Sequence, residues 1–276
     1  MPEGPEIRRT ADALEEQVAG RVVDRIFFGL DRLKQWEKPI TGSRIRSIET
    51  HGKAMLTHLD MGSDEDLTIY SHNQLYGRWV FCNTKEYPDS KRQLRIAIDC
   101  QGQSALLYSA SDIAVLNQNE LKQHRFLCKL GPDVLNQSTT AENLVERLSS
   151  AKYRNRQLGG VLTDQSFVAG LGNYLRCEIL FFAGLNPVVR SRDLNDKQLH
   201  FLANAILELA RQSYQSKGIT NDLKHAQELM AWGASFEDAR FYVFRRQALA
   251  CYRCASQIEK KTWAGQTCFY CPGCQQ

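Results

Sequence analysis

Two short cysteine pairs near the C-terminus constrain the fold of this chain more than any other feature. Cys251-Tyr252-Arg253-Cys254 is followed, after sixteen residues, by Cys271-Pro272-Gly273-Cys274. Each C-x-x-C pair makes a knuckle that presents two thiolates, and two knuckles complete a tetrahedron. The spacing therefore reads as one structural Zn2+ site on Cys251, Cys254, Cys271 and Cys274. A redox dithiol is the competing reading, and four thiols in two pairs on a short terminal ribbon argue against it. Cys268 and Cys271 form a further C-x-x-C pair. Cys271 with Cys274 is preferred, because Gly273 relieves the knuckle turn, and Cys268 is then a spare thiol. The site has no open position for catalysis, so its role is to stiffen a hairpin at roughly 258–270. About 35 residues cannot bury a core without such a staple.

The rest of the chain divides by its hydrophobic period. After a first helix, short β-rich runs recur from residue 21 to about 115, at Val22–Phe28, Ala54–Leu59, Leu67–Tyr70, Trp79–Cys82, Leu94–Ile98 and Ala105–Tyr108. Turn signals such as Gly42-Ser43 and Gly102 separate them, which predicts an antiparallel sandwich or barrel. From about 118 the pattern becomes helical. Thr139-Thr140-Ala141-Glu142 offers a capping box, and Asn195 to Gln198 offers another. Between them Gly170-Leu171-Gly172-Asn173 opens the helical run Tyr174–Phe182. Glycines at a helix start can aim backbone amides at a phosphate, and they serve tight packing equally well. The expected organisation is α+β: residues 1–117, 118–215, a connector at 216–241 and the cysteine module at 242–276.

With 43% hydrophobic residues the chain can build real cores. No run approaches the ~18 apolar residues of a membrane span, and no signal peptide opens the sequence. A cytoplasmic protein without membrane contact is expected. Cys82, Cys100, Cys128 and Cys177 are scattered, as reduced packing cysteines would be. The net charge of +4 is mild, but the basic residues cluster. Lys152, Arg154 and Arg156 form one group, and Arg240, Arg245, Arg246, Arg253, Lys260 and Lys261 another. Such clusters favour an anionic partner such as nucleic acid.

The N-terminus carries a second chemical signal, Met1-Pro2-Glu3-Gly4-Pro5-Glu6. Removal of Met1 before the small Pro2 leaves a secondary amine. An α-amino group titrates near pKa ~8, far below lysine, so much of it is nucleophilic at neutral pH. Attack on a carbonyl-like carbon gives an iminium, an electron sink. Glu3 is placed to move protons. The same residues also suit an ordinary helix start. Pro5 fits the first turn, Glu6 fits the dipole, and Ile7, Ala11, Leu14 and Val18 form an apolar stripe. The two readings are compatible.

These features meet others in a fixed order along the chain. After Pro2-Glu3-Gly4-Pro5-Glu6 come His51-Gly52-Lys53-Ala54, Tyr70-Ser71-His72-Asn73-Gln74-Leu75-Tyr76-Gly77, Gly131-Pro132-Asp133-Val134-Leu135, Gly170-Leu171-Gly172-Asn173-Tyr174-Leu175-Arg176 and the four-cysteine finger. In this set the chain resembles the formamidopyrimidine-DNA glycosylase and endonuclease VIII family over nearly its whole length, and the endonuclease VIII branch in particular. The resemblance implies a helix with a β-sandwich, then a helix–two-turns–helix domain with a zinc hairpin. It also implies a monomeric DNA glycosylase and apurinic/apyrimidinic lyase of base excision repair, acting on damaged double-stranded DNA at the nucleoid.

Carried over residue by residue, the resemblance makes Pro2 the nucleophile and Glu3 the acid–base group. Lys53 becomes a phosphate contact and proton donor, although by itself it is one lysine beside a turn glycine. Gln74, Leu75 and Tyr76 become the wedge that fills the hole left by a flipped base. By themselves they suit a strand end before a Gly77 turn. The trio points to oxidised pyrimidines rather than oxidised purines. Asn173 becomes a phosphate ligand, or a helix cap. Lys129 stands where an arginine is expected and loses the bidentate fork. Glu6 and Glu178 match supporting carboxylates. One departure matters: Gln266 occupies the place of the hairpin arginine and cannot make a charge-assisted phosphate contact. Glycosylase action and β-elimination are expected to survive, with δ-elimination or DNA affinity weakened. A non-catalytic reader of distorted DNA is the rival that this change favours, and intact Pro2, Glu3 and Lys53 oppose it.

Overall fold

The protein was analysed as a computed structural model that describes residues 2–62, 66–84 and 86–276. Met1, whose removal the nucleophile requires, lies outside the described residues. The chain forms two compact units, one ending at Lys129 and one spanning Leu130–Gln276.

The first unit begins with helix α1 (Gly4–Val18). Glu3 is its N-cap, and the Glu3 backbone N–H donates to the Glu6 carboxylate at 2.9 Å. Ile7, Ala11, Leu14 and Val18 are all buried, one residue per turn on one face. Burying Ile7, Leu14 and Val18 contributes about 1.5–3 kcal/mol each. Strand β1 (Arg25–Phe28) and the short helix α2 (Glu37–Ile40) follow. The remaining strands are β2 (Arg44–His51), β3 (Ala54–Asp60), β4 (Leu67–His72), β5 (Arg78–Asn83), β6 (Leu94–Cys100), β7 (Gln103–Tyr108) and β8 (Asp112–Asn117), before helix α3 (Gln118–Gln123).

The strands form two antiparallel four-stranded sheets, in the orders β1-β6-β7-β5 and β2-β3-β4-β8. Ile45, Met55, Ile69 and Ile113 of one sheet share a core with Ile26, Ile96, Ile98 and Leu107 of the other, and α1 joins it. This is a sandwich, so the barrel alternative falls. Strands β2 and β8 were not among the expected runs. Both are edge strands, and β2 interleaves Arg44, Arg46 and Glu49 with its buried Ile45 and Ile48.

In the second unit, α4 (Ala141–Ser149), α5 (Leu158–Val161), α6 (Asn173–Phe182) and α7 (Asp196–Gln215) precede α8 (Leu223–Ala231) and α9 (Phe236–Ala239). The cap of α4 falls one residue later than the sequence pattern indicated. Thr140 accepts from Asn143 N at 3.3 Å, while the Thr139 hydroxyl is taken by the Asp133 carbonyl at 2.7 Å. Asn195 caps α7 as expected, accepting from Gln198 N at 3.0 Å. Leu144, Leu175, Ile179, Leu202 and Ile206 form the core of this unit. The 216–241 stretch is helical in part, because Asp222 and Ser235 supply the caps of α8 and α9.

Strands β9 (Glu259–Trp263) and β10 (Gln266–Tyr270) make the terminal hairpin. Its two-residue turn is Ala264-Gly265, with φ of 49° and 73°. Positive φ at both turn positions matches the twist of a hairpin, and only the glycine adopts it without strain. No described helix is long and apolar enough to cross a membrane.

Candidate active site and metal centre

In the first unit the start of α1 fixes Pro2 and Glu3. The buried Glu3 sits at the helix cap, where the capping geometry holds its backbone. Lys53 lies in the β2–β3 turn. Burial pushes its ammonium below the ordinary lysine range, and the carboxylates of Glu3 and Glu6 oppose that shift. The field of two glutamates thus reaches the lysine, and Glu3, Glu6 and Lys53 belong to one electrostatic neighbourhood.

Gln74, Leu75 and Tyr76, expected as a wedge, lie in a tight loop between β4 and β5. Gly77 N–H donates to the Asn73 carbonyl at 2.7 Å, closing the turn. A Cβ at Gly77 would stand 2.6 Å from the Asn73 backbone, so only glycine fits. Gln74 adopts φ 51°. Its N–H donates to His72 Nδ1 at 3.0 Å, and its Oε1 accepts from the Ser111 hydroxyl at 2.9 Å. Leu75 and Tyr76 are left 57% and 69% exposed. Large apolar side chains held out on a braced loop are unusual unless something covers them. Pro2, Leu75 and Tyr76 line one cavity of about 400 Å³.

His72 is a residue that sequence reasoning missed. Burial lowers its pKa, Asp112 opposes this and Lys53 adds to it. It stays neutral near pH 7, which leaves Nδ1 free to accept the Gln74 N–H. Its position in the quoted Ser71-His72-Asn73 run was the only signal. Lys129 is exposed at the end of the unit, in a 3-10 turn at Leu127–Lys129.

In the second unit, Gly172 takes the cap position of α6 and Asn173 is the first helical residue. The side chain of Asn173 does not cap. Its Nδ2 donates to the Thr267 carbonyl at 2.8 Å, and its Oδ1 accepts from Arg176. Arg176 is fully buried and also donates to the carbonyls of Gly159 at 3.0 Å, Trp263 at 3.2 Å and Thr267 at 3.2 Å. Helix α6 is thereby stapled to both strands of the hairpin. Gln266 begins β10 and is exposed.

Glu178 is fully buried and accepts from the backbone N–H of Tyr242, Val243 and Phe244 and from the Thr220 hydroxyl. Burial raises its pKa against these four donors. It anchors the chain leading into the finger.

The sulfurs of Cys251, Cys254, Cys271 and Cys274 lie within 4.8 Å of one another and could hold a metal ion. Cys251 and Cys274 are 3.8 Å apart and Cys254 and Cys271 3.4 Å. A tetrahedron of thiolates at ~2.3 Å from zinc has edges of ~3.8 Å, so the donors suit that ion. Cys268 lies outside the cluster. It is buried against Cys177 of α6, with the sulfurs 3.7 Å apart.

Comparison with known proteins agrees with this architecture. Residues 1–111 match the formamidopyrimidine-DNA glycosylase N-terminal domain, and residues 130–224 match the formamidopyrimidine-DNA glycosylase H2TH domain. Endonuclease 8 of Klebsiella pneumoniae subsp. pneumoniae is 46% identical over 275 residues, covering 100% of both chains. Endonuclease 8 of Escherichia coli is likewise 46% identical over 100% of both chains. Among solved structures, Lactococcus lactis Fpg in complex with DNA containing an abasic site superposes with a TM-score of 0.81 at 20% identity, over 99% of each chain. MutM in complex with DNA containing carbocyclic 8-oxo-G gives 0.80 at 21% identity, over 100% of each chain. The chain belongs to the formamidopyrimidine-DNA glycosylase and endonuclease VIII family.

Proposed function

We propose that this member of a family of DNA glycosylase–lyases removes oxidised pyrimidines from double-stranded DNA and then cuts the strand, with Pro2 as nucleophile. The observation that carries this reading is the shared cavity of Pro2, Leu75 and Tyr76, with Glu3 and Lys53 in the same electrostatic neighbourhood. A damaged base must leave the stack to be reached. The wedge, with Gln74, would fill the space it vacates.

The chemistry then runs through the chain's own residues. The Pro2 amine attacks C1′ of the flipped nucleotide, the N-glycosidic bond breaks and the base departs with its electron pair. The amine's proton passes to the departing base, Glu3 protonates O4′, and the C1′–O4′ bond breaks as the nitrogen lone pair forms the C1′ iminium. The resulting iminium acidifies the 2′ hydrogens. Loss of one 2′ proton and cleavage of the 3′ C–O bond release the 3′-phosphate by β-elimination. Lys53, its ammonium partly desolvated, contacts the phosphate beside the sugar and donates a proton there. Lys129 and Asn173 add phosphate contacts. Gln266 offers no cation at the hairpin tip, so δ-elimination is slow.

The four cysteines hold one Zn2+ that fixes the finger, and the metal takes no part in the reaction. The enzyme works as a monomer in the cytoplasm, on the nucleoid.

The test is borohydride trapping on a duplex with one dihydrouracil or thymine glycol. A covalent protein–DNA adduct that disappears in Pro2→Gly is the expected result. DNA binding without any adduct on these lesions, on 8-oxoguanine or on an abasic site would sink the catalytic reading. Faster trapping on 8-oxoguanine would overturn the pyrimidine preference.

A further inference from the structure

The cavity beside the wedge has a second set of walls. Besides Pro2 and Tyr76 it is lined by Asn73, Arg78, Trp79 and Arg92. No carboxylate is among its lining residues. Arg92 Nη1 donates to the Tyr76 carbonyl at 2.8 Å, which braces the wedge and leaves the rest of the guanidinium fork unspent. Arg78 is exposed at the first position of β5. Among the described residues, neither arginine pairs with a carboxylate.

Two guanidiniums around one cavity repel each other, and an anion with several acceptor oxygens relieves that repulsion. A guanidinium fork matches the oxygens of a phosphodiester in charge and geometry. A neutral base would leave the two charges unpaired.

We propose that Arg78 and Arg92 form a phosphodiester-binding subsite beside the wedge, separate from the contacts assigned to Lys53, Lys129 and Asn173. It rests on the reading of Gln74, Leu75 and Tyr76 as a wedge in DNA. A loop that enters between base pairs brings its flanks against the sugar–phosphate backbone, and Arg78 follows the wedge by two residues. Holding a phosphate there couples insertion of Tyr76 to capture of the backbone, because Arg92 touches both.

The experiment uses the full-length, zinc-loaded protein and a duplex carrying a tetrahydrofuran abasic analogue. Affinity is measured across a salt series for the wild type, Arg78→Gln, Arg92→Gln and Arg78→Lys. Each lost phosphate contact should reduce the slope of log K against log salt by about 0.9. Low-salt affinity should fall roughly tenfold for Arg78→Gln, and Arg78→Lys should keep the slope. Single methylphosphonates, placed in the damaged or the undamaged strand, identify the source. The strand whose neutralised phosphate weakens the wild type but not Arg78→Gln supplies the ligand. Unchanged slopes in both glutamine variants overturn the subsite. So does a loss confined to Arg92→Gln without a slope change, since Arg92 would then only prop Tyr76. If the wild type itself fails to bind the duplex, the wedge reading falls instead.

Discussion

Asn173, at the first position of α6, gives a side-chain N–H to the carbonyl of Thr267 in the hairpin at 2.8 Å. Its amide nitrogen carries two hydrogens, so one remains for a phosphate. The residue proposed to hold DNA therefore also holds the strand that follows Gln266. Asn173→Ala should lower stability by about 0.5–1.5 kcal/mol, because it removes the bond to the Thr267 carbonyl and one acceptor of the buried Arg176. DNA affinity should fall with it. Asn173→Asp, which has no N–H to donate, should not restore either. Thermal melting and duplex binding of the two variants check this. An alanine variant with full affinity would remove Asn173 from the interface.

Metal removal should act on the finger alone. A strong chelator is expected to extract one Zn2+ per chain, abolish the ordered hairpin and weaken DNA binding by more than about tenfold, with recovery on adding zinc. Cys271→Ser should lose the metal. Cys268→Ser should keep it, because Cys268 packs on Cys177 at 3.7 Å and stands outside the cluster. Metal analysis of the two serine variants separates the alternatives.

The pH profile should report Lys53. Its lowered pKa means that the ammonium is lost at a lower pH than an ordinary lysine at 10.5, since burial penalises the charged form. A step that needs protonated Lys53 is intact below that pKa and fails as pH rises through it. The alkaline limb of the cleavage rate should therefore fall below pH 10.5. The rising limb should follow deprotonation of the Pro2 amine near ~8. Lys53→Arg stays charged and should lose the alkaline limb while cutting roughly 10–100-fold more slowly. An unchanged alkaline limb in that variant would assign it to another group.

Replacing Gln266 by arginine should restore a cation at the hairpin tip. The variant is expected to raise δ-elimination product at least about fivefold relative to β-elimination product, and to bind DNA more tightly at low salt. Gel resolution of the cut 3′ ends reads the ratio. An unaltered ratio would show that Gln266 does not limit the second elimination.

The elements that sequence fixed were those whose signal is local. The α1 stripe of Ile7, Ala11, Leu14 and Val18, the Asn195 cap of α7 and the cysteine spacing each depend on residues a few positions apart, and all four stripe residues are buried. The motif residues from Pro2 to Asn173 were singled out by the family resemblance, since by itself each suits a turn, a strand end or a helix start. Strands β2 and β8 were hidden, since β2 interleaves Arg44, Arg46 and Glu49 with its buried residues and β8 buries only Ile113 and Val115. Tertiary structure decided what no run contains. It chose sandwich over barrel by joining two sheets through one core. It gave Cys268 a thiol neighbour rather than a metal, and made Glu178 an anchor for Tyr242, Val243 and Phe244. It also joined His72 to Gln74 and Arg92 to Tyr76 by hydrogen bonds. Burial and hydrogen bonding between distant segments appear only when the chain closes on itself, so their consequences for pKa and for exposed charge belong to the fold.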